Sequence, residues 1–347
     1  MKEAGIITVY GDYENYGNRL QNYAVQEALK KVGVNAKTIK LVTADTVDTI
    51  HTDYNKNRYD NFKHFNEYIN FHDEELDVRE EVSKDYGKNF NYYVVGSDQI
   101  WNFTFKNLFK PAVFASFTDK PKVALSASLG VDFMPEENSE AYNLFKNNID
   151  KFKKVSVREN EGKKILENIS DREDIKALVD PTMLLDREDW EKVIRRPSFL
   201  ETDRFILQEF LGREGDNRKK EIERIAEEFD CEIIDVLDKD SEYFGIGPTE
   251  FLYLVKNSFM IATDSFHACV FSILFNKPFI VFKRDDERLK SMHSRIVTLL
   301  STFGLEDRMF TGIIDDSHLN IDYNKVNKIL EEKRVEGYEF LKEAFEE

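Results

Sequence analysis

Asp264, Ser265, Phe266 and His267 stand where one apolar run stops and a second is expected to open as a helix. The start of a helix leaves backbone N–H groups without partners, and its dipole favours negative charge there. Either Ser265 or Asp264 can cap such a helix. His267 falls in the first turn, so an imidazole would stand beside any anion held there, and imidazole exchanges protons near neutral pH. The plainer alternative is that Ser265 only caps and His267 only packs. A second group is Gly96-Ser97-Asp98-Gln99, where hydroxyl, carboxylate and amide adjoin, a set suited to sugar hydroxyls. Trp101 offers a face for a sugar ring, although burial in a core is the commoner fate of that residue. Arg158, just past the apolar run ending at Val157, and Arg295, on an expected helix, are cations suited to a small anion. Asp98 is the next candidate for proton transfer if His267 only packs.

The elements that must position these groups can be read from the pattern. Residues 259–262, 268–275 and 279–282 read as strand, helix and strand, a parallel crossover. In such a unit the strand's end and the helix's start face the ligand crevice. Residues 5–10, 19–32 and 34–42 read as a strand, helix and strand at the N-terminus, with Gly33 stopping the helix. The loop between its first strand and helix is neither a dinucleotide fingerprint nor a P-loop. Strands are expected at 92–95, 122–128, 154–157, 177–182, 204–210 and 231–236. Helices are expected at 54–71, 138–152, 218–229, 248–256, 293–303 and 326–345, and also following Arg158 and around Trp190. The helix at 54–71 is expected to lie as an insertion over the first crevice, with His51, His64 and His72 at the surface. Residues 195–203 read as a linker and 283–291 as a charged, mobile stretch.

Composition bounds the rest. The chain has 347 residues, 41% hydrophobic and 33% charged, with a net charge of −17. That length favours two domains. Such acidity argues against nucleic acid, whose binding rests on cations, and against a polybasic membrane anchor. Cys231 and Cys269 read as buried thiols of a reducing compartment. No metal-ligand spacing, secretory leader or membrane-length apolar run is visible, so no metal and a cytoplasmic location are expected.

Several stretches carry a family resemblance. TDSFH followed by an apolar helix and NKPFIVF resembles the polysaccharide pyruvyl transferase family. So does NYGNRLQNYAVQEALKKVG, in which Asn15, Tyr16, Gly17, Leu20, Gln21, Tyr23 and Ala24 match the opening motif. VVGSDQIWN is similar to the family's most recognisable motif, VSVREN to its strand-to-helix element ending in arginine, and SRIVTLLSTFGLEDR to its tail. Two positions depart from the usual pattern: Ala268 stands where glycine is common, and Leu125 where tyrosine is common.

The resemblance implies an α/β chain of two Rossmann-like, doubly wound domains facing across a cleft, the glycosyltransferase-B-like arrangement. The expected division is 1–190, 200–325, and a last helix at 326–347 packing back on the first domain. The resemblance further implies transfer of a pyruvyl group from phosphoenolpyruvate to a sugar diol, forming a pyruvate ketal and free phosphate. Phosphoenolpyruvate is then a co-substrate and no cofactor is needed. A sugar or lipid-linked oligosaccharide is the acceptor. In this reading His267, Arg158 and Asp98 are catalytic, and Ser265, Arg295 and Gly17 bind the donor. Asn15, Asn18, Ser97, Gln99 and Trp101 bind the acceptor. Gly17, Ser97, Arg158, Ser265 and His267 are expected to line one cleft. A nucleotide-sugar glycosyltransferase of the same architecture and a carbohydrate-binding relative without activity are the alternatives.

Overall fold

Most strands of this chain are short, apolar and buried on both faces, the pattern of parallel sheets covered by helices. Tyr92–Val95 and Met260–Thr263, for example, are buried at every position. The computed structural model describes residues 2–10, 15–44, 55–212, 216–284 and 294–346. The loop at 11–14, His51, and most of the 283–291 stretch together with His293 lie outside the described residues.

In chain order the elements begin with β1 (Lys2–Ile7), α1 (Tyr16–Lys31), β2 (Val34–Ile39), β3 (Leu41–Val42), α2 (Lys56–Phe65), β4 (Leu76–Asp77) and β5 (Tyr92–Val95). They continue through β6 (Lys122–Ala127), α3 (Glu140–Asn148), β7 (Lys154–Val157), α4 (Asn160–Ile169) and β8 (Lys176–Ala177). Then come α5 (Arg187–Glu191), β9 (Phe205–Glu209), α6 (Asp216–Phe229), β10 (Glu232–Asp235) and α7 (Pro248–Asn257). The chain closes with β11 (Met260–Thr263), α8 (Phe266–Leu274), β12 (Phe279–Val281), α9 (Ser294–Phe303), α10 (Asp316–Leu319) and α11 (Tyr323–Phe345).

The chain divides into two compact units. The first comprises Met1–Thr52, Asn66–Leu185 and Glu332–Glu347. Its six-stranded parallel sheet runs β2-β1-β5-β6-β7-β8. After β2 the chain returns to the other side of β1, so the order reverses between β1 and β5. Such a switch point opens a crevice at the strands' carboxyl ends. Phe340, Leu341, Ala344 and Phe345 of α11 join the core beneath β1 and α1, beside Ala4, Ile6, Val25 and Leu29.

The second unit comprises Asp53–Phe65 and Asp186–Glu331. Its parallel sheet runs β10-β9-β11-β12, with its switch point between β9 and β11. The β11–α8–β12 crossover is present as the apolar pattern indicates. All nine residues of α8 are buried, as a helix apolar on every side requires.

The helix expected at 54–71 differs in two ways. It ends at Phe65 in a tight turn, Asn66–Tyr68, and α2 belongs with the second unit. Arg58 of α2 donates to the Phe244 carbonyl (2.8 Å) and lies over the Phe244 ring, while Asn61 donates to the Gly245 carbonyl (2.9 Å). An amphipathic stripe states that a helix must pack but not on what. His64 and His72 are half-buried rather than exposed, and His72 packs against Phe90. Cys269 is buried, Cys231 half-buried, and both are free thiols. Among the described residues no helix is long and apolar enough to cross a membrane.

Candidate active site

Each switch point holds a cluster of polar side chains. In the first unit, β5 ends at Val95 and the chain turns at Gly96 with φ +119. A Cβ there would stand 2.3 Å from the Leu125 carbonyl oxygen, so the turn needs glycine. Asp98 follows with φ 55, a left-handed conformation uncommon outside glycine. The turn delivers Ser97 and Asp98 to the core of the unit, where both are buried. Ser97 Oγ lies 3.1 Å from the Ser126 carbonyl and 3.2 Å from Asp180 Oδ2. Asn18 Nδ2 of α1 donates to Asp98 Oδ2. Gln21 of the same helix accepts from the Ser97 N–H and donates to Thr8 Oγ1.

Arg158 closes this network. It is only 4% exposed; Nη1 contacts Asp180 Oδ2 at 2.6 Å and Nη2 contacts Asp98 Oδ1 at 3.2 Å. Burial works against its charge, but Asp180, Asp98 and Glu159 outweigh that and hold its pKa above the ordinary value. Asp180 also accepts from the Thr182 N–H and hydroxyl. Glu159 caps the turn at the end of β6, accepting from Ser128 Oγ and the N–H groups of Leu129 and Gly130.

Three expectations change here. Arg158, expected to hold a donor anion, meets two carboxylates of its own chain instead. Ser97, expected at an acceptor sugar, has its hydroxyl enclosed between Ser126 and Asp180. Trp101, also assigned to the acceptor, is fully buried: it stacks on Phe114, packs edge-on against Phe145 and Phe152, and donates its indole N–H to Val113. Asp98 has both oxygens engaged. Asn18 is buried with it, whereas Asn15 and Gln99 are half-buried. Gly17 lies in the first turn of α1.

In the second unit β11 ends at Thr263, and Ser265 is the N-cap of α8, its Oγ accepting from the Ala268 N–H at 3.5 Å. Asp264 has a different task. It accepts from the N–H groups of Leu211 (2.7 Å) and Gly212 (2.8 Å), fastening the loop after β9. A Cβ on Gly212 would come within 2.9 Å of that carboxylate. Arg284 reinforces the junction, with Nε 3.3 Å from Asp264 Oδ2 and Nη2 donating to the Asp264 carbonyl. His267, in the first turn of α8, is buried. Arg295 of α9 lies over the ring of Phe266, its guanidinium carbon 5.9 Å from the centroid. Ser265, His267 and Arg295 are thus brought to one place, and Arg284 joins them.

Glu209, at the end of β9, is a residue the sequence reading did not single out. It is 3% exposed, and its Oε2 is buried without a hydrogen-bond partner. Burial pushes its carboxyl up to about 7. The Ser265 hydroxyl lowers it, the Asp264 charge raises it, and Arg58 and Arg284 lower it. The available signal was an acid closing the apolar run Phe205–Leu207 beside a switch point. Among the described residues no group of three or more His, Cys, Asp or Glu could hold a metal ion.

A family model for polysaccharide pyruvyl transferase matches residues 15–286. The chain belongs to the polysaccharide pyruvyl transferase family. That span contains the β9–β11 switch point and every residue of the two clusters apart from Thr8 and Arg295, while β1 precedes it. No curated protein matches the chain. Among solved structures, a putative UDP-N-acetylglucosamine 2-epimerase from Listeria monocytogenes is similar with a TM-score of 0.52 at 14% identity, over 99% of this chain and 91% of that one. The UDP-GlcNAc 2-epimerase of Neisseria meningitidis, bound to UDP-GlcNAc, is similar with a TM-score of 0.48 at 11% identity, over 97% and 100%. The similarity to the Listeria protein shows the fold: this pyruvyl transferase family member is an α/β protein of two Rossmann-like units.

Proposed function

We propose that this family member transfers a pyruvyl group from phosphoenolpyruvate to two hydroxyls of a sugar, on a cell-surface polysaccharide or its precursor, with release of phosphate. Beyond family membership, the observation that carries this reading is the amino end of α8, where a capped helix, His267, Arg284 and Arg295 stand together in a strongly acidic chain. Phosphoenolpyruvate has a phosphate and a carboxylate, and both need cations or backbone donors. Arg284 takes over the part first given to Arg158, and Arg295 keeps its own. Gly17 stays with the donor, and Asn15 and Gln99 stay with the acceptor.

The chemistry has two stages. A proton adds to the terminal carbon of the enol, its double bond supplying the electrons, and the oxygen-substituted carbon becomes an oxocarbenium centre. One sugar hydroxyl adds to that centre and gives up its proton. The second hydroxyl then replaces phosphate at the same carbon; the C–O bond to phosphate breaks and the second proton leaves with it. His267 is assigned one of these proton transfers. The buried Arg158–Asp98–Asp180 network holds the turn of the first unit in shape. Two free thiols suit a reducing, cytoplasmic setting.

The test is incubation with phosphoenolpyruvate and a panel of lipid-linked and nucleotide-linked sugars, following phosphate release. Phosphoenolpyruvate is expected to raise the melting temperature, and nucleoside diphosphates are not. Stabilisation by a nucleoside diphosphate without phosphate release from phosphoenolpyruvate would favour the glycosyltransferase alternative.

A further inference from the structure

Among the described residues the buried carboxyls are anchored, with one exception. Asp98, Glu159, Asp180, Asp189, Glu250 and Asp264 each accept from two or more donors. Glu209 is as deeply buried, yet its Oε2 has no hydrogen-bond partner. Glu159 also has a bare Oε2, but its other oxygen gathers three donors and holds the turn after β6. An ionised carboxylate left bare in an enclosed place is costly, so such a group is favoured as the neutral acid.

The direction of Glu209 follows from the sheet. Ile206 shares a core with Ile222 and Ile225 of α6. Side chains alternate along a strand, so Leu207 and Glu209 face the other side. Right-handed crossovers that leave a switch point in opposite directions put their helices on opposite faces, so that other side is the one α8 covers. Glu209 lies level with Thr263, the last residue of β11. Its carbonyl accepts from Thr263 Oγ1 at 2.7 Å and from the Asp264 N–H at 3.4 Å, and Thr263 Oγ1 accepts from the Ser265 N–H. The bare carboxyl thus stands at the carboxyl end of the sheet, on the face where α8 starts with Ser265 and His267. All three residues are buried there.

We propose that Glu209 is the acid that protonates the methylene carbon of phosphoenolpyruvate. The proposal rests on the donor reading of the α8 end and adds a second proton-transfer group to it. A carbon accepts no resting hydrogen bond, so the group that serves it is one that needs no polar partner. A neutral, enclosed carboxylic acid meets that condition; a carboxylate held by arginine or backbone N–H groups does not. In the step, the O–H bond of Glu209 breaks and its proton bonds to the methylene carbon, the enol double bond supplying the electron pair. The oxygen-substituted carbon becomes the oxocarbenium centre, and the carboxylate left at Glu209 opposes its positive charge. The first sugar hydroxyl adds to that centre, and His267 takes its proton. The proton of the second hydroxyl leaves with phosphate. His267 then returns its proton to Glu209 through water, so both groups end as they began.

The experiment measures phosphoenolpyruvate binding and phosphate release on the full chain, with the lipid-linked or nucleotide-linked sugar that supports release by wild type. Glu209→Gln keeps the shape but has no acidic proton. It is expected to lose about 10²–10⁴-fold in turnover while binding phosphoenolpyruvate as wild type does. Glu209→Met, which suits an enclosed site, serves if the glutamine variant does not fold and should show the same loss. A second readout is the face of protonation. With (Z)-3-fluorophosphoenolpyruvate in heavy water, a fixed acid delivers deuterium to one face, so wild type should give a single stereoisomer of the fluoromethyl group. The residual turnover of either variant should give a mixture, which a packing role would not produce. Near-normal turnover in the variants overturns the proposal and leaves the donor reading standing. So does a loss of turnover matched by an equal loss of binding with the single stereoisomer retained. Absence of phosphate release by wild type with every acceptor overturns both.

Discussion

His267 and Arg158 are both buried next to a strand's carboxyl end, yet substitutions at them should have different consequences. His267 is assigned a proton transfer, so His267→Asn is expected to lower turnover by about 10²–10⁴-fold while phosphoenolpyruvate binding persists. Steady-state phosphate release paired with a binding measurement checks this; near-normal turnover would make the histidine a packing residue. Arg158→Ala would leave Asp98 and Asp180 buried and uncompensated, which typically costs about 3–5 kcal/mol. Urea unfolding should show the loss as a lowered midpoint, and an unchanged midpoint would mean that the two ion pairs add nothing. Glu209 gives a pH dependence of stability. Its folded carboxyl holds a proton up to about 7 and an ordinary glutamate only to 4.5, so between those values the folded chain binds more protons than the unfolded one. Stability therefore falls as pH rises through that window, by about 3 kcal/mol in all, and stays lower above it. Glu209→Gln should accordingly melt higher than wild type at pH 8 and close to wild type at pH 4.5. A variant less stable than wild type at pH 8 would contradict this.

The turn after β5 and the start of α8 show how elements present groups at a switch point. Both follow a strand in a parallel sheet, but they solve the exit differently. After β11 the chain enters a helix directly, with Ser265 satisfying one free N–H. After β5 it makes a tight turn at Gly96 that drives Ser97 and Asp98 inward. Gly96→Ala would set a Cβ 2.3 Å from the Leu125 carbonyl and force a conformation that only glycine adopts easily. Backbone cannot yield as a side-chain tip can, so the variant is expected to lose several kcal/mol, of order 3 or more. Thermal unfolding of purified protein measures it; a change within experimental scatter would show that the turn has another conformation available.

Neither sheet is completed by a continuous length of chain. The first unit takes its last covering from Glu332–Glu347, and the second takes α2 from far upstream. Phe340, Leu341 and Phe345 are almost wholly buried in the first unit's core. At about 1.5–3 kcal/mol for each large side chain, removing 332–347 forfeits roughly 5–9 kcal/mol. That is comparable with the whole stability of a typical domain, about 5–15 kcal/mol. A chain ending at Glu331 is expected to be insoluble, or to expose apolar surface that binds a hydrophobic dye. A soluble, cooperatively unfolding truncation would show that the helix contributes far less than its burial implies.

Much of the α8 site was legible in the residues themselves. An apolar run, a Thr-Asp-Ser stop and a second apolar run specify strand, cap and helix through interactions between near neighbours, and they put His267 in the first turn whatever the remainder of the chain does. The β5 turn was legible as a turn for the same reason. What the turn faces was not. Arg158 reads as a free cation in sequence because its partners lie 60 and 22 residues away, at Asp98 and Asp180, and only folding of the sheet brings them within hydrogen-bond reach. Trp101 had two possible fates in the sequence, a sugar face or the commoner core, and Phe114, Phe145 and Phe152 decided for the core. Glu209 looked like an ordinary strand-end acid; its raised pKa comes from burial by α8 and from Asp264, neither of which acts on it in the unfolded chain. Periodicity and capping are local and survive in a string of letters. Burial and charge neutralisation belong to pairs of remote segments, and the tertiary structure alone assigns them.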